Sequence, residues 1–99
     1  MVKHIVFWRF KDLPDRTRKE TAEALKGKFK GLAGVIPGLR QLEIGVDFSR
    51  SDASCDVALY SEFESRTALG AYQEHPAHKA LLPFIREAMI ERRVVDYEA

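Results

Sequence analysis

The N-terminal segment alternates between two faces that are both apolar. Val2 to Lys11 is rich in β-branched and aromatic residues, and its alternation predicts a β-strand. The even positions are Val2, His4, Val6, Trp8 and Phe10, and the odd positions are Lys3, Ile5, Phe7, Arg9 and Lys11. A strand with large apolar side chains on both sides needs cover on both sides. We therefore expect helices on one side and a second subunit on the other, with Ile5, Phe7 and Tyr60 in the interface.

A helical period follows the first strand. The apolar residues recur at spacings of three and four: Ala22, Leu25, Phe29, Leu32 and Ile36. Pro14 and Asp15 suit a helix start, and Gly31, Gly34 and the Pro37-Gly38 pair suit its end. The pattern predicts an amphipathic helix from Asp15 to about Ala33.

Three more segments have the pattern of strands. Leu39 to Phe48 and Cys55 to Phe63 alternate, and a polar loop separates them. Arg92 to Glu98 is predicted to be the closing strand.

A second helical region lies before that closing strand. Ser65 suits an N-cap, and Pro76 ends the first helix and can begin the next one. One stripe then carries His78, Leu81, Leu82, Ile85 and Met89, and Pro83 within it predicts a kink or a break into two short helices. The resulting order, βαββαβ, is α+β and ferredoxin-like, with a four-stranded antiparallel sheet and helices on one face.

Composition limits the class of protein. The 99 residues, 45% of them hydrophobic, suit one domain over residues 1–99. We find no secretion signal and no apolar run near the ~20 residues that span a bilayer. With one cysteine, Cys55, these features predict a cytoplasmic protein with no membrane partner. The net charge is only +1 and the basic residues lie mainly on the predicted first helix, so we expect no nucleic-acid partner.

The most distinctive chemistry lies in Tyr72-Gln73-Glu74-His75-Pro76-Ala77-His78. His78 heads an apolar stripe, where desolvation favours the neutral imidazole that can act as a general base. The hydroxyl of Tyr72 could bind a carbonyl or stabilise an enolate. Both residues are thus candidate catalytic groups. The alternative is that both residues belong to the core. The imidazole would then hydrogen-bond a backbone carbonyl, and the tyrosine hydroxyl would reach solvent.

Other residues are candidates for binding a substrate. They are His4, Val6 and Trp8 on the first strand, Phe29 on the first helix and His75 at the helix corner. His75 could instead cap that corner, and the aromatic residues could be core alone. A three-histidine metal site is disfavoured because Pro76 disrupts the spacing, and the sequence shows no zinc or phosphate-loop signature, so no metal or cofactor is expected.

The whole chain resembles the stress-responsive A/B barrel domain family. The resemblance is carried by Val2 to Lys11, Ile36 to Leu39, Phe63 to Ser65, His75 to His78 and Val95 to Tyr97. It implies a ferredoxin-like subunit whose bare sheet face pairs with that of a second subunit to form a dimeric α+β barrel. This agrees with the first strand, which independently calls for a partner.

The resemblance also implies a function. One plant member of the family is a polyketide cyclase that performs an intramolecular aldol condensation with a tyrosine and a histidine and no metal. Its Tyr-x-x-His-Pro-Ala-His run matches Tyr72 and His78, and the histidine on its first strand matches His4. Trp8 stands where the cyclase has smaller aliphatic residues, which predicts a narrower pocket.

A homodimer that binds a small apolar or aromatic molecule, with cyclase-like or lyase-like chemistry, is thus the first hypothesis. A non-catalytic, stress-associated structural or ligand-binding dimer is the alternative. A small monooxygenase that acts on electron-rich aromatics shares the barrel and is the third.

Overall fold

One antiparallel sheet carries the helices on a single face. The structure is a computed structural model that describes all of residues 1–99. The elements in chain order are β1 (Val2–Phe10), α1 (Arg18–Lys30), β2 (Leu39–Val46), β3 (Val57–Phe63), α2 (Arg66–Glu74), α3 (Pro76–Lys79), α4 (Leu82–Ala88) and β4 (Met89–Glu98). None of the helices is both long enough and apolar enough to cross a membrane.

The strand order is β2-β3-β1-β4, and every neighbouring pair is antiparallel. β1 lies inside the sheet, so that Ile5 has Tyr60 on one side and Val95 on the other. This is the ferredoxin-like arrangement, and the predicted fold class is confirmed.

The two faces of β1 differ in exposure. All five even positions are buried beneath the helices: Val2, His4, Val6, Trp8 and Phe10. On the odd face Phe7 remains 38% exposed, and Val95 and Tyr97 on β4 are also exposed. The helices therefore cover one face only, and the other keeps apolar side chains in solvent.

α1 is shorter than predicted because a different residue caps it. The hydroxyl of Thr17 accepts from the backbone N–H of Glu20 at 3.2 Å, and the Glu20 carboxylate accepts from the N–H of Thr17 at 2.9 Å. This capping box starts the helix at Arg18, three residues beyond Asp15. At the other end the helix stops at Lys30, with Gly31 as its C-cap.

The strand limits also differ from the sequence prediction. β2 ends at Val46 because the carboxylate of Asp47 turns the chain, accepting from the N–H of Arg50 at 2.8 Å. β4 begins at Met89, directly after α4, because Met89 pairs with Phe10 of β1.

The helical region after β3 forms a corner. Ser65 caps α2, accepting from the N–H of Ala68 at 3.1 Å, and Pro76 begins α3. Pro83 is the second residue of α4, so the predicted break into short helices is confirmed. The corner turns the end of α2 and the start of α3 toward the buried face of β1.

Candidate functional site

A cavity of about 220 Å³ lies between the helices and the buried face of β1. Most of its lining is apolar, as in many small-molecule sites. The lining residues are His4, Val6, Trp8, Phe29, Leu59, Tyr72, His78, Leu82, Ile85, Arg86, Met89 and Arg92.

The structure brings together most of the residues that the sequence singled out. The ones that line the cavity are His4, Val6, Trp8, Phe29, Tyr72 and His78. His75 lies outside this lining. Its Nδ1 accepts from the backbone N–H of Ala77 at 3.0 Å and caps α3.

Tyr72 contributes a buried hydroxyl without a partner. The residue is only 1% exposed, and its phenolic oxygen makes no hydrogen bond. Burial raises the pKa of this phenol well above its ordinary value, and the positive charge of Arg92 only partly opposes the shift. The hydroxyl therefore keeps its proton and can donate it to a bound acceptor.

His78 lies against Tyr72, with the two ring centroids 4.4 Å apart. Its Nδ1 is 3.3 Å from the backbone oxygen of Gln73 and donates to it in one neutral tautomer, which leaves Nε2 without a proton. Burial lowers the pKa of His78, the Gln73 oxygen opposes this shift, and the charges of His4 and Arg92 add to it. The imidazole is thus neutral near pH 7 and able to accept a proton.

His4 forms the floor of the cavity beside these two residues. Its ring centroid lies 6.2 Å from that of Tyr72 in an edge-on arrangement. Its Nδ1 contacts the carboxylate of Asp96, its neighbour on β4. This contact orients the imidazole, because the carboxylate holds one ring nitrogen of His4 in place.

Trp8 narrows the cavity without closing it. The indole is 4% exposed and packs against Phe29, with ring centroids 6.0 Å apart. Its Nε1, a donor only, is buried and has no hydrogen-bond partner.

Sequence reasoning did not assign six residues of this lining to the site, and the two charged ones among them are Arg86 and Arg92. Arg86 follows Leu82 by four residues and therefore shares its helix face. Arg92 is opposite Trp8 in the register of β4 and β1. The helix spacing was available in the sequence, whereas the register of two distant strands was not.

No group of three or more His, Cys, Asp or Glu side chains is arranged to hold a metal ion. Of the three histidines, His4 and His78 line the cavity, and His75 caps α3 outside it.

Comparison with known proteins agrees with this fold. An uncharacterised protein of Streptomyces coelicolor is 31% identical over 98 residues, which cover 99% of both chains. A dimeric protein of unknown function with a ferredoxin-like fold from Bacteroides fragilis is 30% identical, with a TM-score of 0.80 over 99% of this chain and 95% of that one. A dimeric ferredoxin-like protein of unknown function from Thermobifida fusca is 26% identical, with a TM-score of 0.83 over 99% and 90%.

Two enzymes share the fold at 19% identity each. One is a hydroxynitrile lyase from Passiflora edulis, with a TM-score of 0.77 over 97% of this chain and 90% of that one. The other is a putative antibiotic biosynthesis monooxygenase from Nitrosomonas europaea, with a TM-score of 0.72 over 100% and 98%. At this identity the likeness extends to the fold alone. The family itself is shown by a match over almost the whole chain. The family model of the stress responsive A/B barrel domain matches residues 2–99, and the chain belongs to this family.

Proposed function

We propose that the protein is a homodimer that binds a small, mostly apolar, carbonyl-bearing molecule in the cavity of each subunit. Its chemistry is that of a cofactor-independent cyclase or lyase, with His78 as base and Tyr72 as hydrogen-bond donor. The observation that carries the proposal is the pair itself. A buried phenol without a partner lies beside an imidazole that burial keeps neutral, in one cavity.

The two groups support complementary parts of one proton transfer. Nε2 of His78 takes a proton from the carbon next to the ligand's carbonyl. The electron pair of that C–H bond stays on the ligand and delocalises into the carbonyl, which gives the enolate. The hydroxyl of Tyr72 donates to the carbonyl oxygen, where the negative charge develops. In a cyclase the enolate carbon then attacks a second carbonyl of the same molecule. The new alkoxide takes the proton back from His78, so no cofactor is needed.

The cavity limits the size of the ligand. A dry apolar cavity of about 150 Å³ can hold benzene. The volume here, about 220 Å³, therefore suits one ring with one or two substituents. Trp8 and Phe29 supply aromatic walls for such a ring.

The uncovered face of the sheet supports the dimer. Ile5, Phe7 and Tyr60 lie on this face, and the register adds Val95 and Tyr97 from β4. Exposed apolar side chains on a continuous surface are typical of a subunit interface. The solved relatives from B. fragilis and T. fusca are dimers.

Carbonyl recognition can be measured with two ligands of nearly the same shape. We expect acetophenone to bind several-fold more tightly than α-methylstyrene, because only acetophenone accepts the hydrogen bond of Tyr72. Tyr72→Phe should remove this preference. The same change should raise the free energy of unfolding of the free protein by about 1 kcal/mol, because it deletes an unsatisfied buried hydroxyl. Calorimetric titration and urea unfolding measure the two effects.

A purely structural role for Tyr72 predicts the opposite result. In that case Tyr72→Phe would leave the ratio of the two affinities unchanged. His75→Gln is the matched control, because it removes an imidazole that caps α3 outside the cavity lining. It should lower stability and leave the ratio intact.

The role of His78 is testable by hydrogen exchange. In D₂O the protein should accelerate deuterium incorporation into the methyl group of acetophenone, followed by NMR, and His78→Gln should abolish the acceleration. Only the neutral imidazole accepts a proton, and burial lowers the pKa of His78 from its ordinary value of 6.5. The rate should therefore persist to pH 6.5 and fall only at lower pH. Exchange that survives in His78→Gln would contradict the role of base.

The competing function is a non-catalytic dimer in which these residues brace the corner at Pro76. The cap from His75 and the contact of His78 with Gln73 favour it. It predicts that His78→Gln lowers the melting temperature while acetophenone binding and its preference over α-methylstyrene stay unchanged.

A further inference from the structure

We propose that the ligand carries a carboxylate, and that Arg86 and Arg92 bind this group at the mouth of the cavity. The inference rests on the proposed function in one respect: the ligand's carbonyl is taken to lie at Tyr72 and His78. It names the class of substrate, a small aromatic or unsaturated keto acid.

The two arginines come from different elements and line the same cavity. Arg86 lies on α4, one turn after Leu82, and Arg92 lies on β4 opposite Trp8. Both line the cavity, and both are exposed overall. They therefore lie where the cavity meets solvent, while Tyr72 lies at its buried end.

Both arginines lack the carboxylate partner that most arginines of this chain have. Six of the nine arginines form an ion pair with an aspartate or glutamate. The other three are Arg50, Arg86 and Arg92, and two of these three line the cavity. A guanidinium is the side chain best suited to a planar carboxylate, which it binds through two parallel hydrogen bonds.

The cavity lining contains no carboxylate that could neutralise the two arginines. It contains two arginines and two histidines, and neither an aspartate nor a glutamate. Asp96, which lies outside this lining, has its carboxylate in contact with His4. Because the chain as a whole has a net charge of +1, the excess of positive charge is a local property of the cavity.

Two unpaired hydrogen-bond donors inside the cavity independently indicate a ligand that has several acceptor atoms. Nε1 of Trp8 and the hydroxyl of Tyr72 are both buried, both line the cavity and both lack a partner. An indole N–H can only donate. A keto acid supplies acceptors at both ends, a carbonyl oxygen inside and a carboxylate at the mouth.

The test uses pairs of probes that have nearly the same shape, one anionic and one neutral. They are 3-acetylbenzoate and 4-acetylbenzoate, each against the corresponding acetylbenzamide. We expect at least one benzoate to bind about tenfold more tightly than its amide in low salt, and the advantage to shrink as salt is added. In the double variant with Arg86→Gln and Arg92→Gln, benzoate and amide should bind equally. Arg50→Gln is the matched control, since it removes a third unpaired arginine away from the cavity and should keep the preference.

The outcomes separate this inference from the proposed function. Equal binding of benzoates and amides to the unaltered protein overturns the carboxylate site, as does binding of neither. If benzoates and amides bind equally and the amides lose affinity in Tyr72→Phe, the carbonyl site stands without the arginine site. If the benzoate preference depends on the arginines and Tyr72→Phe has no effect, the arginine site stands and the proposed role of Tyr72 fails. Circular dichroism of the double variant verifies that it is folded.

Discussion

Phe7→Asp is expected to convert the proposed homodimer into a folded monomer. Phe7 lies on the uncovered face of the central strand β1, with Ile5 and Tyr60 on the same face. In a two-fold dimer each subunit contributes the same patch, so one substitution buries two carboxylates without partners. An uncompensated buried charge costs about 3–5 kcal/mol. The dissociation constant should therefore rise at least about a thousandfold, which sedimentation or light scattering at micromolar concentration measures.

Val35→Asp is the control for this experiment. Val35 is 50% exposed, more than Phe7, but it lies in the connection between α1 and β2. It should leave the protein dimeric. A Phe7→Asp protein that stays dimeric, or an unaltered protein that is monomeric, would show that this face is not the interface.

Three of the glycines between the start of α1 and the start of β2, Gly27, Gly34 and Gly38, should respond to alanine in a graded series, with the largest effect at Gly38. Gly38 has φ +79°, and a Cβ there would lie 2.6 Å from the Cβ of Ala68 on α2. Left-handed backbone costs about 1–2 kcal/mol for alanine, and the clash adds about 1–3 kcal/mol. Gly38→Ala should lower the free energy of unfolding by about 2–5 kcal/mol, or the melting temperature by at least about 10 °C.

Gly34 and Gly27 allow the cost of backbone strain to be measured apart from the steric clash with Ala68. Gly34 has φ +78° and open space around its Cα, so Gly34→Ala should cost only the backbone strain, about 1–2 kcal/mol. Gly27 is inside α1 with open space and ordinary helical geometry, so Gly27→Ala should stabilise the protein by about 0.5–1 kcal/mol. Similar effects at Gly34 and Gly38 would mean that the contact with Ala68 costs nothing.

The sequence was informative wherever local chemistry decides the structure. Alternation placed His4 and Trp8 on the helix side of β1, and Pro76 placed Tyr72 and His78 on either side of a corner. These positions follow from a period of two and from a missing N–H, which are properties of neighbouring residues.

It was less informative where distant residues compete. One miss was local instead: the sequence contains the capping box of Thr17 and Glu20, which starts α1 beyond Pro14 and Asp15. Met89 was assigned to a helical stripe, but pairing with Phe10 makes it the first residue of β4. The same long-range register brings Arg92 to Trp8, which is why the basic mouth of the cavity could not be inferred from spacing alone.

Because successive residues of β1 face opposite sides of the sheet, the strand is sensitive to any change in its number of residues. His4, Val6 and Trp8 serve the cavity, while Ile5 and Phe7 belong to the outer face, and the two sets alternate residue by residue. Deleting or inserting a single residue within Val2–Phe10 would exchange the two sets beyond that point. Aromatic and charged side chains would trade places, so the cavity and the outer face would be lost in one step.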